Sequence, residues 1–227
     1  SAAQSPFFLD LWQHPANWAR QYGVRLWSED HWSIIVDHLK ELASVGVSSV
    51  TIIASDMPWA GQDCHRFRDY PSNLFEYSMI HVRRKPDGTI ESDYSQLDRY
   101  VETAFRLGID GQLEVFGLLG VWDPEFFQPI ASYSDPIRVR CFDEASSTYD
   151  YLHDKAELAQ YVRDLARHLQ QNGWSGRTVV SSDEPQDVDS FQTWMDFLGE
   201  NWQDVRFKLV INSNDLFDRV YDKRITT

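Results

Sequence analysis

Strand-like and helix-like segments alternate along this chain. Short apolar runs rich in β-branched and aromatic residues are typical of buried strands, and they occur at residues 7–12, 47–54, 112–119, 177–182 and 207–211. Between these runs, apolar residues recur at helical spacing, most clearly over residues 32–42, 97–107, 158–169 and 191–198. Ser28 precedes the first of these segments and is the predicted N-cap of its helix.

This alternation predicts an α/β fold with a parallel sheet and right-handed crossovers. A (β/α)8 TIM-type barrel is the first choice, but only about five strand-helix units are visible where such a barrel needs eight. The barrel is therefore expected to be incomplete: the chain is a fragment, or a partner chain in an oligomer completes the barrel, or the sheet is open. We expect a single, partial barrel domain over residues 1–227, with a β-hairpin inserted near 76–94 and a long loop near 120–153.

The step Asp183-Glu184-Pro185 directly follows the fourth strand-like run. In parallel α/β folds the carboxyl ends of the strands carry the active site, because the loops after the strands converge there. Neighbouring side chains on a strand point to opposite faces, so both carboxylates can meet one ligand only where the strand breaks up. Pro185 favours such a break because it removes a ladder donor. The position predicts acid/base chemistry on a polar substrate.

The same step has a simpler interpretation. Acidic residues and proline are common in the first turn of a helix, so Asp183, Glu184 and Pro185 can also mark only a helix start. A second doublet, Asp143-Glu144, has no helix signal close behind it and is interpreted as loop. The pattern alone therefore does not decide between the two interpretations.

Composition narrows the class of partner. Aromatic residues make up 14% of the chain, more than a core alone needs, and aromatic faces cover the apolar face of a sugar ring in carbohydrate clefts. The formal net charge of −14 repels phosphate backbones and anionic membranes, which argues against nucleic acid as a partner. A neutral substrate fits this balance better.

Other sequence features exclude little. No apolar run reaches the roughly 20 residues of a membrane span. No signal peptide is visible, and residues 1–5 are compatible with a processed start, so a secreted or periplasmic location is the expectation. Cys64 and Cys141 allow one disulfide without implying it. His14, Asp56, Cys64 and His65 match no standard metal-binding spacing, and neither a metal nor another cofactor is expected.

A succession of short motifs resembles glycoside hydrolase family 123. The motifs, in chain order, are Trp12-Gln13-His14-Pro15, the Asp87-Gly88 turn, residues 94–101 leading to Leu107-Gly108-Ile109, Gly117-Leu118-Leu119, and Ser182-Asp183-Glu184-Pro185. The resemblance implies a β-N-acetylgalactosaminidase on a (β/α)8 barrel, with Asp183 and Glu184 as the catalytic pair. The chain lacks the family's usual preceding β-sandwich and the last barrel units, which leaves open whether it is active by itself.

The implied mechanism is substrate-assisted and explains why the carboxylates are adjacent. A retaining glycosidase with its own nucleophile needs two carboxyl groups about 5 Å apart on opposite sides of the scissile bond, which neighbours meet poorly. If the substrate's 2-acetamido oxygen attacks instead, Asp183 would orient the acetamido group and stabilise the oxazolinium intermediate. Glu184 would protonate the leaving oxygen and then activate water, with net retention of configuration.

Further residues at the predicted strand ends are candidates for substrate contacts. Trp12, Trp59 and Trp122 are candidates for stacking on the sugar, with core packing as the alternative. Candidates for hydroxyl contacts are His14, Asp56 and Asn212.

Two other functions remain open at this point. One is the hydrolysis of another glycan by Glu184 together with a carboxylate from a different strand, such as Asp56. The other is a carbohydrate-binding protein without catalysis. The natural glycan and the choice between galacto and gluco configuration cannot be read from the sequence.

Overall fold

The computed structural model describes residues 7–59, 76–119, 137–152, 155–183, 188–210 and 225–226. The helices are α1 (Pro15–Tyr22), α2 (Glu29–Ser44), α3 (Ser95–Arg106), α4 (Lys155–Gln171) and α5 (Val188–Asn201). The strands are β1 (Ser49–Ile53), β2 (His81–Arg84), β3 (Ile90–Asp93), β4 (Gln112–Phe116), β5 (Arg140–Asp143), β6 (Thr148–Tyr151), β7 (Thr178–Asp183), β8 (Phe207–Val210) and β9 (Ile225–Thr226).

The main sheet is parallel and has the order β1-β4-β7-β8-β9. The order advances in one direction, and α3, α4 and α5 each lie between consecutive strands of the sheet. Right-handed crossovers in one direction place all the connecting helices on the same face. The predicted mixed α/β fold with a parallel sheet is confirmed, with five strands in this sheet.

A closed barrel is not found in the described residues. β1 and β9 stand at opposite ends of the strand order, whereas closure requires the last strand to pair with the first. The parallel sheet with helices on one face is thus open over the part of the chain that the structure describes.

The two faces of this sheet differ in chemistry. On the helix-covered face Ile52, Val115, Val180 and Phe207 stand side by side in register, and all four are completely buried. The opposite face carries polar residues, which we call the polar face: Ser49, Thr51, Gln112, Glu114, Ser181, Asp183 and Lys208. In parallel sheets covered on both sides the strands are apolar throughout, so the polar face is a departure from that pattern.

The first predicted strand, residues 7–12, is reduced to a single bridge. Leu9 pairs with Val47, and the Leu9 carbonyl accepts a hydrogen bond from the Ser48 amide at 2.9 Å. Beyond that point the buried side chain of Gln13 replaces the ladder. Its Oε1 accepts from the Thr51 amide at 2.7 Å, and its Nε2 donates to the carbonyl of Ser49 at 3.2 Å. The side-chain amide thus reproduces the pairing of a peptide group beside β1.

Helix α2 begins as the sequence predicts. The Ser28 hydroxyl accepts from the His31 amide at 3.3 Å, which satisfies one N–H of the first turn. Helix α1 was not predicted, because its eight residues carry few apolar positions. Pro15 at its first position and Gly23 at its end, with φ of 65°, are the signals that mark it.

A second sheet, of order β3-β2-β5-β6, is built from two insertions, β2 and β3 after β1 and β5 and β6 after β4. β2 and β3 pair as an antiparallel hairpin within the region 76–94. The predicted loop over 120–153 is wrong where it includes β5 and β6, which pair with each other, while β5 also pairs with β2. The alternation Arg138-Val139-Arg140-Cys141, with Val139 and Cys141 buried, is the strand signal in that segment. β6 lacks it, because Thr148 to Asp150 are exposed at a sheet edge.

Candidate active site

Asp183, the first residue of the Asp-Glu pair, lies at the carboxyl end of the parallel sheet. Asp183 is the last residue of β7, is partly buried, and faces the same side as Ser181 and therefore the polar face. Glu184 lies outside the described residues, and α5 begins at Val188. The structure thus places the first carboxylate at this edge, and a shared site with Glu184 stays a prediction.

An aromatic cluster borders this end of the sheet. Trp59 lies 4.8 Å from Phe116 and 4.8 Å from the ring of His14, and Trp12 lies 5.0 Å from Phe116 and 5.7 Å from Trp59, measured between ring centroids. Phe116 stands opposite Ser181 in β7, so Asp183 is two residues further along the neighbouring strand. Strand geometry puts the Cα atoms of Phe116 and Asp183 about 8 Å apart.

The four aromatic rings differ in exposure. Trp59 is only 1% exposed and packs as core, whereas Trp12 keeps part of its surface open. Trp12 is therefore the ring better placed to cover a sugar face, although sugar contact by Trp12, Trp59 and His14 stays a prediction. The other two candidates, Trp122 and Asn212, lie outside the described residues.

Glu76 fixes the segment that carries His14. Its carboxylate accepts hydrogen bonds from the amides of Ala16 and Asn17 at 2.9 Å each and from the Asn17 side chain at 2.7 Å, so it caps the N-terminus of α1 from a distant part of the chain. Burial raises the pKa of Glu76 to about 7, against these hydrogen bonds. Sequence reasoning missed Glu76, because a cap 60 residues away from Ala16 leaves no local pattern.

Asp56 joins the two sheets. It is 2% exposed, its Oδ1 accepts from the Ser78 amide at 3.0 Å, and its Oδ2 lies 3.3 Å from Nε of Arg140. Burial raises the pKa of Asp56, and the charge of Arg140 opposes that rise. These contacts are with protein groups, so the predicted contact with a substrate hydroxyl remains a prediction.

Charged residues on the polar face form a buried cluster below Asp183. Lys208 on β8 donates to Glu114 at 2.6 Å and to Gln112 at 3.2 Å on β4, and to Asp10 in the N-terminal segment. The pKa of Glu114 is raised to about 7 by burial and by the charge of Asp10, although Lys208 lowers it. Burial raises the pKa of Asp10, but its hydrogen bonds with Lys208 and Ser49 lower it further, so Glu114 is the acid of the two that titrates near neutral pH. In the sequence, the sign of this cluster is that Asp10, Glu114 and Lys208 are charged residues inside strand-like apolar runs.

The ends of β1 and β4 approach each other closely at Gly117. This residue has φ of 96°, and an added Cβ would overlap the Ser55 hydroxyl, which donates to the Gly117 carbonyl at 2.9 Å. Both the backbone conformation and the available space therefore require glycine here. The contact fixes the spacing of two strand ends at the catalytic edge.

Three other kinds of feature bear on function: metal sites, membrane-spanning helices and cysteines. In the described ranges, no group of three or more His, Cys, Asp or Glu side chains is arranged to hold a metal ion. No helix in these ranges is long and apolar enough to cross a membrane. Cys141 is a buried free thiol whose pKa burial raises to about 11, and Cys64 lies outside the described residues.

A carboxylate at a strand end beside an aromatic wall suits acid/base chemistry on a sugar, and comparison with known proteins agrees with that class. A search of curated proteins found no match. Among solved structures, the fold matches a family 123 glycoside hydrolase from Clostridium perfringens, studied for glycolipid glycan hydrolysis, with a TM-score of 0.67 and 24% identity.

That match covers 94% of this chain and 36% of the other, so the chain spans about a third of the length of that structure, and the likeness shows the fold alone. The model of the family "Glycoside hydrolase 123, catalytic domain" matches residues 12–227. Since this second match extends over nearly the whole sequence, the chain belongs to glycoside hydrolase family 123.

Proposed function

We propose that this chain carries the catalytic pair of an enzyme that removes terminal β-linked N-acetylhexosamine, with N-acetylgalactosamine favoured, from a glycan. The observation that carries the proposal is the position of Asp183, at the last residue of β7 and on the polar face, directly before Glu184. The completed (β/α)8 barrel belongs to the same proposal, and the open sheet with helices on one face is compatible with part of such a barrel.

Substrate-assisted catalysis fits this geometry. Consecutive residues at a strand end cannot flank the scissile bond from opposite sides at the spacing that a protein nucleophile and an acid need. Asp183 would hold the substrate's 2-acetamido group while the carbonyl oxygen of that group attacks the anomeric carbon. Asp183 would also stabilise the positive charge of the oxazolinium intermediate. Glu184 would give its proton to the departing oxygen and then take one from the water that opens the oxazolinium ring. Two displacements at one carbon retain its configuration.

The aromatic cluster supplies the complementary surface. Trp12 is the partly open tryptophan of the cluster, next to the buried Trp59 and Phe116 that support it. We expect its face to cover the apolar side of the terminal sugar. The glycolipid glycan of the Clostridium perfringens enzyme makes a glycolipid a natural first substrate class to test.

A conventional mechanism with Asp56 as the second carboxylate is less well supported. Asp56 is 2% exposed and is engaged by Ser78 and Arg140, so an attack on a sugar carbon would require these contacts to break.

The decisive experiment is hydrolysis of chromogenic β-N-acetylgalactosaminide and β-N-acetylglucosaminide by the complete protein and by Asp183→Asn and Glu184→Gln. We expect kcat/KM to fall by about 100-fold or more in each variant, the loss typical when a general acid or an electrostatic stabiliser is removed. The doublet Asp143-Glu144 supplies the matched control, because Glu144→Gln makes the same chemical change at a partly exposed carboxylate paired with Lys85.

Three results would contradict the proposal. Turnover that survives Glu184→Gln would remove that residue from catalysis. Insensitivity to a thiazoline analogue of the oxazolinium intermediate would favour a protein nucleophile over the acetamido group. Binding of glycans without turnover of either chromogenic substrate would favour a carbohydrate-binding protein.

A further inference from the structure

The second sheet exposes a row of aromatic and cationic side chains on one face, which we call the outer face. In β5 and β6 Arg140 stands opposite Tyr151, and Phe142 stands opposite Tyr149, with 5.2 Å between the last two ring centroids. Tyr149 is 69% exposed. On the other face of the sheet Val82 and Cys141 stand side by side and are buried. Of the aromatic residues on the outer face, Tyr149 is thus open to solvent, and Phe142 and Tyr151 are partly buried.

Arg140 is held in a fixed orientation on this face. Its Nε lies 3.3 Å from the buried carboxylate of Asp56, and its guanidinium carbon lies 5.5 Å from the ring centroid of Tyr77 and 5.8 Å from that of Tyr149. The side chain of Arg140 nevertheless keeps 41% of its surface exposed. A guanidinium anchored through Nε and flanked by rings is pre-organised to bind a planar anion through its terminal nitrogens.

A depression of about 120 Å³ opens beside this guanidinium, lined by Ser78, His81, Arg140 and Tyr149 and by the aliphatic Ile80 and Val82. Pockets that enclose a whole drug-sized ligand are about 300 Å³ or larger, so this depression fits a substituent of a sugar rather than the ring. The guanidinium and imidazole groups in its wall are hydrogen-bond donors, which an anionic substituent requires, whereas the Ser78 hydroxyl already donates to the Ile80 carbonyl at 3.2 Å.

The charge on the outer face is mixed. Asp56 is paired with Arg140, and in the β2-β3 hairpin Asp93 stands opposite His81 and Glu91 opposite Arg83. On a chain of net charge −14, the exposed part of the Arg140 guanidinium is the group on this face that would attract an anion against the general repulsion.

The second sheet is joined to the carboxyl edge of the parallel sheet. The Met79 amide donates to the carbonyl of Ile53, the last residue of β1, at 2.8 Å, and the Asp56 amide donates to the Arg138 carbonyl at 2.7 Å. β1 and β7 end at the same edge with only β4 between them, so the second sheet is joined to the edge at which Asp183 lies.

We propose that the outer face is a subsite for an acidic sugar of the glycan, with Arg140 and His81 holding a carboxylate or sulfate and Tyr149 covering the sugar ring. The inference rests on the proposed function in one respect, that the ligand is a glycan. It adds a substrate class, since whole-chain charge alone favours a neutral substrate.

The test is calorimetric titration with 3′-sialyllactose, 3′-sulfolactose and lactose, none of which carries a terminal N-acetylhexosamine. We expect at least one anionic sugar to bind about tenfold more tightly than lactose, the gain typical of a charge-assisted bidentate contact. Arg140→Gln and Tyr149→Ala should each reduce that preference at least threefold, by loss of the contact with the anion and with the ring respectively. Preference for sialyl or for sulfo sugar identifies the anion.

Arg99→Gln is the matched control. Arg99 also lies over an aromatic ring, that of Trp32 at 4.3 Å, and also pairs with an acid, Glu29, but it is on α3. Tyr149→Ala leaves the pair of Arg140 and Asp56 in place, so it tests the site even if Arg140→Gln loosens the join between the sheets. Equal affinity for the three sugars, or a preference that survives both outer-face variants, would overturn the subsite. Turnover plays no part in this titration, so it can fail while the chromogenic assay succeeds, and the reverse.

Discussion

The two faces of the parallel sheet are built from the same four strands and differ in almost everything else. The helix-covered face presents Ile52, Val115, Val180 and Phe207, all completely buried. The polar face, on the other side of the same strands, presents Glu114 and Lys208 in a buried ionic cluster and ends at Asp183. The first face stabilises by removing apolar area from water, which tolerates small changes of shape. The second depends on matched charges, which tolerate very little.

This difference explains how one sheet can be both stable and reactive. Apolar packing on the helix face holds the strands in place without any polar requirement. That support allows the polar face to carry buried charge and to present a carboxylate at its edge, an arrangement that costs stability on its own. Substitutions on the two faces should therefore differ in size and in kind.

The largest effect is expected for Lys208→Met, which leaves Asp10 and Glu114 buried without their cation. Breaking a buried pair by removing one partner costs about 3–5 kcal/mol, and we expect a loss of free energy of unfolding near the lower end, because Glu114 can take up a proton. Urea unfolding at pH 7 measures it.

The control is Lys40→Met. Lys40 pairs with Asp37 on α2, and the two side chains are 56% and 73% exposed. An exposed pair contributes about 0–1 kcal/mol. Similar losses in the two variants would mean that the cluster on the polar face carries no special electrostatic role.

The next largest effect is expected for Gly117→Ala, at the carboxyl edge of the parallel sheet. Alanine there must adopt a positive φ and also displace Ser55, and we expect a loss of about 2 kcal/mol or more in free energy of unfolding, with lower turnover because the ends of β1 and β4 move apart. Gly23→Ala provides the comparison, since Gly23 has φ of 65° but nothing within 4 Å of an added Cβ. If the two variants lose the same stability, the close approach at Gly117 contributes nothing beyond its backbone conformation.

The polar face should also respond to pH. Glu114 has a pKa of about 7 in the folded chain against 4.5 ordinarily, so the unfolded chain binds fewer protons between these values. The stabilisation is complete below pH 4.5 and is lost as pH rises through 7, at up to about 1.4 kcal/mol per pH unit. Glu76 contributes with the same sign, and His31, whose pKa burial lowers, with the opposite sign.

Glu114→Gln isolates the contribution of this one carboxyl. The glutamine keeps a neutral polar group in the cluster, so its free energy of unfolding should decline less steeply from pH 5 to 7 than that of the unchanged protein. Glu76 and His31 are common to both proteins and cancel in the difference. Parallel stability curves would show that Glu114 does not hold a proton in the fold.

The helix-covered face could largely be predicted from the sequence, and the polar face could not. Apolar periodicity located α2, β1, β4, β7 and β8, because burial of one face imposes a pattern on neighbouring residues. The same reasoning missed β6, which buries almost nothing and is held by pairing with β5.

The candidate site divides in the same way. Asp183 was found because two acids and a proline at a strand end form a local pattern. The cap that Glu76 provides and the pairing of Lys208 with Asp10 join residues 60 and 198 positions apart, and no local pattern records such contacts. The sequence shows that a charged residue lies inside a strand, but only the fold shows which oppositely charged residue pairs with it.

The smallest effect is expected on the helix face, for Ile52→Val. Removing one methylene from a completely buried side chain costs about 1 kcal/mol of free energy of unfolding. Ile52 points away from the polar face, so kcat/KM per folded molecule should be unchanged and the pH dependence of stability should keep its shape. Thr51→Val, its neighbour on the opposite face, keeps the volume but removes the hydroxyl that accepts from the Gln13 amide at 3.0 Å. If Ile52→Val altered turnover as much as Thr51→Val did, the two faces would not be functionally separate, and the helix side would have to be counted as part of the site.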